Sequence, residues 1–107
     1  MKILVISDIH SNLTALEAVL QKAGEVEAVW CMGDLVGYGP DPNECVERIR
    51  SLPGLICVKG NHDNAVCDLA VVDQFNEDAG TAIMLTREKL TKDNLDYLST
   101  LPETIQF

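Results

Sequence analysis

Both histidines of this 107-residue chain fall in two of three short polar runs: Asp8-Ile9-His10, Gly33-Asp34 and Gly60-Asn61-His62-Asp63. Each run directly follows an apolar stretch that reads as a buried β-strand. Carboxylate and amide oxygens with imidazole nitrogens form the donor set that holds a divalent cation. Such a cation lowers the pKa of bound water and polarises a phosphoryl oxygen. Asp8 and Asp34 lie 26 positions apart and Asp34 and Asn61 lie 27 apart, each interval long enough for a strand, a crossover helix and a return. In an open α/β sheet, ligands collect outside the carboxyl ends of the strands, so this spacing places all three runs on one edge of one sheet.

Each run has a plainer reading. Asp8 can cap a turn with His10 on the surface; Gly-Asp is common in turns; and Gly60 to Asp63 can be a polar loop with a satisfied histidine. As ligands, Asp8 and His10 sit two apart after a strand, where extended backbone points both side chains to one side. Asp34 has two oxygens and can bridge two ions, which in binuclear hydrolases lie about 3.5–4 Å apart. Asn61 offers a neutral amide oxygen, and His62 can donate a proton or hold an anionic oxygen without being a ligand. Glycine at 60 lets the backbone turn sharply. Three such runs at successive strand ends favour the metal site over three unrelated turns.

The intervening sequence supplies the elements that must position these runs. Ile3 to Ile6 is a continuous β-branched and aliphatic run of the kind covered on both faces in parallel sheets. Leu13, Leu16, Val19, Leu20 and Ala23 recur at helical spacing, with Asn12 as N-cap, Thr14 and Glu17 at capping-box spacing, and Gly24 as the stop. Residues 27 to 32 predict a second strand. After the Gly37-Tyr38-Gly39-Pro40 loop, Asp41, Pro42 and Glu44 mark the start of a second helix that stops at Pro53-Gly54. Residues 55 to 58 predict a third strand, and residues 76 to 90 and 92 to 101 two further helices. Beyond Pro102, Thr104 and Gln106 alternate with Ile105 and Phe107, which predicts a strand still in progress at the chain end. No linker or second domain is visible.

Composition narrows the function classes. A net charge of −9, with lysines and arginines scattered, lacks the electrostatic footprint of a duplex-DNA or anionic-membrane binder. Bound divalent cations would reverse the field locally, so nucleic acid is not excluded as a substrate. Cys31, Cys45, Cys57 and Cys67 form no Cys-X-X-Cys pair, and Cys31 and Cys57 sit in strand runs, which suits buried structural thiols. Met1 leads straight into the first strand without a signal peptide, and no apolar run approaches membrane-spanning length. The expectation is a cytoplasmic protein without a membrane partner.

In order, spacing and flanking residues, the three runs resemble the calcineurin-like metallophosphoesterase superfamily, whose pattern is D-X-H, then G-D, then G-N-H-D/E, then later histidines ending in G-H-X-H. The opening Ser7-Asp8-Ile9-His10-Ser11-Asn12 is most similar to the small bacterial metallophosphoesterases. The resemblance covers nearly the whole chain. It implies an α/β fold, a mainly parallel sheet layered with helices, forming the N-terminal half of a metallophosphoesterase sandwich. It implies that Asp8 and His10 bind one metal, that Asp34 bridges to a second, and that Asn61 binds that second metal. His62 would be the uncoordinated histidine that stabilises or protonates the leaving oxygen, with Asp63 orienting it. Two divalent ions are implied, manganese favoured over iron, zinc, nickel or magnesium, and the substrate is a small phosphomonoester or phosphodiester.

Two departures from the family pattern matter. No histidine follows His62, so the second-half histidines have no counterpart, and the second metal keeps only Asp34 and Asn61. With the apparent strand at the end, this predicts the N-terminal portion of a longer enzyme that by itself binds one ion weakly and hydrolyses phosphoesters poorly. Second, family members acting on phosphoproteins or dinucleoside polyphosphates tend to carry an arginine-glycine pair after Gly-Asp, whereas Gly33-Asp34 here continues as Leu35-Val36-Gly37-Tyr38-Gly39. A non-catalytic metal-binding or scaffolding module on the same fold is the competing reading. A nucleotide-binding α/β domain lacks its Gly-X-Gly-X-X-Gly turn after the first strand.

Overall fold

The computed structural model of the protein describes residues 1–106. Strands β1 (Ile3–Ile6), β2 (Ala28–Cys31) and β3 (Ile56–Cys57) form a parallel sheet in the order β1-β2-β3. Ile6 pairs with Cys31 and Cys31 with Cys57, so the three strands end level with one another. Backbone bonds from Met32 to Ile6 and from Val58 to Cys31 extend the pairing past the regular strands.

Helix α1 (Leu13–Ala23) returns the chain from β1 to β2, and α2 (Pro42–Arg50) from β2 to β3. Asn12 caps α1 as expected, its side chain accepting the Ala15 N–H at 3.0 Å. Glu17 makes no capping box; its carboxylate accepts from Arg48 Nε of α2 at 2.6 Å instead. Asp41 stands at the α2 N-cap without a side-chain capping bond, while its own N–H donates to the Ser11 carbonyl at 2.8 Å.

The Glu17–Arg48 pair shows that α1 and α2 lie side by side. Right-handed crossovers that step through the sheet in one direction put both helices on the same face. Cover is therefore one-sided: Val29, Cys31, Val46, Ile49, Leu35 and Val36 are sealed in the core, whereas Val5 and Met32 are more than half exposed. The apolar run of β1 had predicted cover on both faces.

Past β3 the chain turns at once into α3 (Asn61–Cys67), a 3₁₀ segment (Leu69–Gln74), α4 (Glu77–Lys89) and α5 (Lys92–Thr100). Asn76 and Thr91 cap the last two through side-chain bonds to the N–H of Ala79 and Asn94. The predicted strand after Pro102 does not form within the described residues. The Lys59 N–H donates to the Pro102 carbonyl at 2.7 Å, but no ladder follows over residues 103–106, and Phe107 lies outside the described residues. All four cysteines are free, and Cys45 is buried along with Cys31 and Cys57. Among the described residues no helix is long and apolar enough to cross a membrane.

Candidate metal centre

The three strand ends hand over to loops that are bonded to one another. The Asp8 N–H donates to Gly33 O, His10 N–H to Asp34 O and Ser11 N–H to Leu35 O, at 2.9–3.1 Å. This small ladder continues the sheet beyond its strands. Its backbone is not extended: Asp8, His10, Ser11 and Asp34 have φ of 57°, 47°, 59° and 58°. Side chains meet here because the backbone curls into the left-handed region, in contrast to the extended geometry expected at Asp8 and His10. Such residues cost of order 1–3 kcal/mol each and cluster where function requires them.

Asp8, His10 and Asp34 each offer a ligand atom, all within 4.8 Å of one another. His10 Nε2 stands 3.3 Å from Asp8 Oδ1, and its Nδ1 lies 3.1 Å from the Val36 carbonyl. With the proton on Nδ1 the ring donates to that carbonyl and Nε2 presents its lone pair to the site. Two carboxylates and a correctly oriented imidazole fit a divalent ion.

Asn61 and His62 begin α3, a helix the sequence did not predict. The His62 N–H donates both to Asp34 Oδ1 and to Asn61 Oδ1 at 3.0 Å, so these two oxygens converge on one point. Gly60 is extended, with φ −81° and ψ 174°. Its lack of a side chain serves space rather than a sharp turn, since a Cβ there would run into the Asp34 carboxylate.

The Asp63 carboxylate is fully buried and holds the backbone. Oδ2 accepts from Asp34 N–H at 2.8 Å and Gly60 N–H at 2.9 Å; Oδ1 accepts from Leu35 at 2.9 Å and Val36 at 3.3 Å. Asp63, expected to orient His62, directs these four bonds to amides that tie the second loop to α3. Burial pushes the Asp63 carboxyl up to about 6, against the downward pull of these amides, with the nearby Asp34 charge adding to the rise.

The His62 ring is buried against Tyr38, His10 and Phe75, with ring centroids 5.0, 4.9 and 5.2 Å away. Burial lowers its pKa, opposed by the Asp34 charge and assisted by His10. Its Nδ1 is sealed from solvent with no hydrogen-bond partner among the described residues. Tyr38 was not singled out from the sequence as a site residue. The only signal for it was its position between Gly37 and Gly39.

The family model for calcineurin-like phosphoesterases matches residues 1–104. The chain belongs to that family. It is 47% identical over 106 residues to the uncharacterised protein MJ0912 of Methanocaldococcus jannaschii, covering 97% of this chain and 43% of that protein. A crystal structure of a metallophosphoesterase from Sphaerobacter thermophilus superposes with a TM-score of 0.81 at 51% identity, covering 95% of this chain and 42% of that one. A symmetrical bis(5'-nucleosyl)-tetraphosphatase of Pectobacterium carotovorum is 36% identical over 63 residues, 55% of this chain and 22% of that protein. The chain thus spans less than half the length of these calcineurin-like relatives.

Proposed function

We propose that this chain carries the first half of a binuclear phosphoesterase centre that hydrolyses a small phosphomonoester or phosphodiester. The observation behind this reading is the convergence of Asp8, His10 Nε2 and Asp34 at the ends of β1 and β2, with the amide oxygen of Asn61 meeting Asp34 at the His62 N–H. A divalent ion held there, manganese by preference, supplies a Lewis acid and an acidified water.

In this reading Asp8, His10 and Asp34 hold one ion, and Asp34 faces a second position shared with Asn61. His62, kept neutral by burial, hydrogen-bonds the departing ester oxygen. Asp63 acts through the backbone, locking the Asp34 loop to α3 so that the two ligand loops cannot part. Four free cysteines support a reducing compartment, the cytoplasm. None of the residues lining the cleft beside Asp8 and His10 is a lysine or arginine, which favours an uncharged ester substituent over a polyphosphate.

The test is manganese titration by calorimetry together with hydrolysis of p-nitrophenyl phosphate and bis(p-nitrophenyl) phosphate. One weakly bound ion and slow manganese-dependent turnover are expected. Asp34→Asn keeps an acceptor for the His62 N–H and should lower both metal affinity and rate at least tenfold; His62→Ala should lower the rate while leaving metal affinity unchanged. Tight binding of two ions per chain would refute the half-site, and unchanged metal binding in Asp34→Asn would refute its ligand role. Metal binding with no turnover would instead favour a non-catalytic metal-binding module.

A further inference from the structure

Strands β2 and β3 each end on a cysteine, and the two residues are direct partners in the sheet: Cys31 pairs with Cys57. Residues in register on neighbouring strands send their side chains to the same face. Here that face is the core, where Cys31 and Cys57 are 1% and 6% exposed. Neighbouring strands run about 4.7–4.9 Å apart, inside the span of about 4.4–6.8 Å between Cα atoms that a disulfide bridges. The two thiols already interact. Hydrogen bonding with Cys57 is the main influence holding the Cys31 thiol below its ordinary pKa, against burial, and the same contact raises Cys57. Cys31 is therefore the nucleophile of the pair. Cys45, buried on α2, has its thiol pushed up by burial, which leaves it inert.

Both cysteines lead into the loops of the metal centre. Asp34 follows Cys31 by three residues, and Asn61 follows Cys57 by four. Beyond the strands these loops touch backbone to backbone: a Cβ on Gly33 would stand 2.5 Å from the Gly60 nitrogen, and one on Gly60 2.3 Å from the Asp34 nitrogen. So close a fit leaves no room to absorb a change in how β2 and β3 are spaced. Cys57 also lies in a two-residue strand at the edge of the sheet, where local opening costs least. That opening admits a small neutral oxidant.

We propose that Cys31 and Cys57 form a reversible oxidation site, with hydrogen peroxide as the oxidant, whose disulfide displaces the Asp34 and Asn61 loops. The Cys31 sulfur attacks one peroxide oxygen, the O–O bond breaks, and Cys31 becomes a sulfenic acid as the first water leaves. Cys57 then gives up its proton and attacks the Cys31 sulfur, releasing the second oxygen as water. Two thiols lose two protons and two electrons, and one peroxide becomes two waters. A dithiol reductant reverses the step by exchange. The site does not rest on the phosphoesterase reading, since neither metal nor ester takes part in it.

The experiment treats the reduced, metal-free chain with hydrogen peroxide while circular dichroism shows it still folded, then maps the thiols by mass spectrometry after alkylation in urea. A disulfide between Cys31 and Cys57 is expected, formed equally in Cys45→Ala and Cys67→Ala and reversed by dithiothreitol. In Cys57→Ala, dimedone should trap a sulfenic acid at Cys31. Oxidation should move the amide resonances of Asp34, Gly60 and Asn61, and manganese affinity should fall about tenfold. Intact thiols in the folded, unaltered chain, or a disulfide that includes Cys45 or Cys67, would overturn the oxidation site. A disulfide between Cys31 and Cys57 that leaves those three resonances unmoved would overturn its link to the loops. A reduced chain that binds no manganese would refute the metal centre, while the thiol map and the resonances still decide for or against the oxidation site.

Discussion

At the level of single residues, the site is set by how little room its neighbours leave. Gly37 shows this most sharply. A Cβ on it would come within 2.7 Å of His62 Nδ1, and its φ of 102° is one that alanine resists. Gly37→Ala should therefore lower stability by about 1–3 kcal/mol in urea unfolding and displace the His62 ring, seen as a change in its NMR shifts. A variant as stable as the parent with unmoved His62 resonances would show that the loop has slack. His10 depends on its neighbours differently: its Nδ1 lies 3.1 Å from the Val36 carbonyl, so the backbone of the adjacent loop orients the ring. The sequence named His10 as a ligand but held no sign of which nitrogen would serve.

Elements explain why some of this was legible and some was not. The first two helices were readable because their signals are local: Asn12 and Pro42 each act within one turn of chain. Helix α3 was not. Over Asn61–Cys67 the apolar burial comes from Ala65 and Val66, with Cys67 partly buried, too few for a period, and its N-terminus is fixed by Asp63 reaching back to Gly60 and across to residues 34–36. The left-handed curl at Asp8, His10 and Asp34 was equally hidden, since the pairing of two distant loops imposes it. Asp63 is thus an element-level clamp, and Asp63→Ala would leave four buried or part-buried N–H groups without their acceptor. Unsatisfied donors cost about 1–3 kcal/mol each when fully buried. Hydrogen exchange should quicken at Asp34, Leu35, Val36 and Gly60 well before the amides of β2. Uniform acceleration across the sheet, or none, would contradict a local clamp.

Across the whole molecule, seventeen acidic side chains against eight basic ones give a surface that draws cations, while Cys31, Cys45 and Cys57 are buried in an otherwise aliphatic core. Burial, aided by the charges of Asp41, Glu44 and Glu17, pushes Cys45 up to about 12. Cys57 is raised by its hydrogen bond with Cys31 and by burial, and Tyr97 is raised by burial. Only Cys31, stabilised as thiolate by Cys57, is lowered, which offsets the others in part. Unfolded thiols ionise near about 8.5. Below that pH both states hold the Cys45 proton and stability is flat in this respect. Above it the unfolded chain releases the proton and the folded chain keeps it, so folding free energy is lost at about 1.4 kcal/mol per pH unit for each such group. Urea unfolding under reducing conditions should therefore show a steep loss of stability between pH 8.5 and 10, and Cys45→Ala should flatten that slope even if it lowers stability at pH 7.5. Equal unfolding free energies at pH 7.5 and 10 in the unaltered chain would mean that the buried thiols ionise as freely inside the fold as outside it.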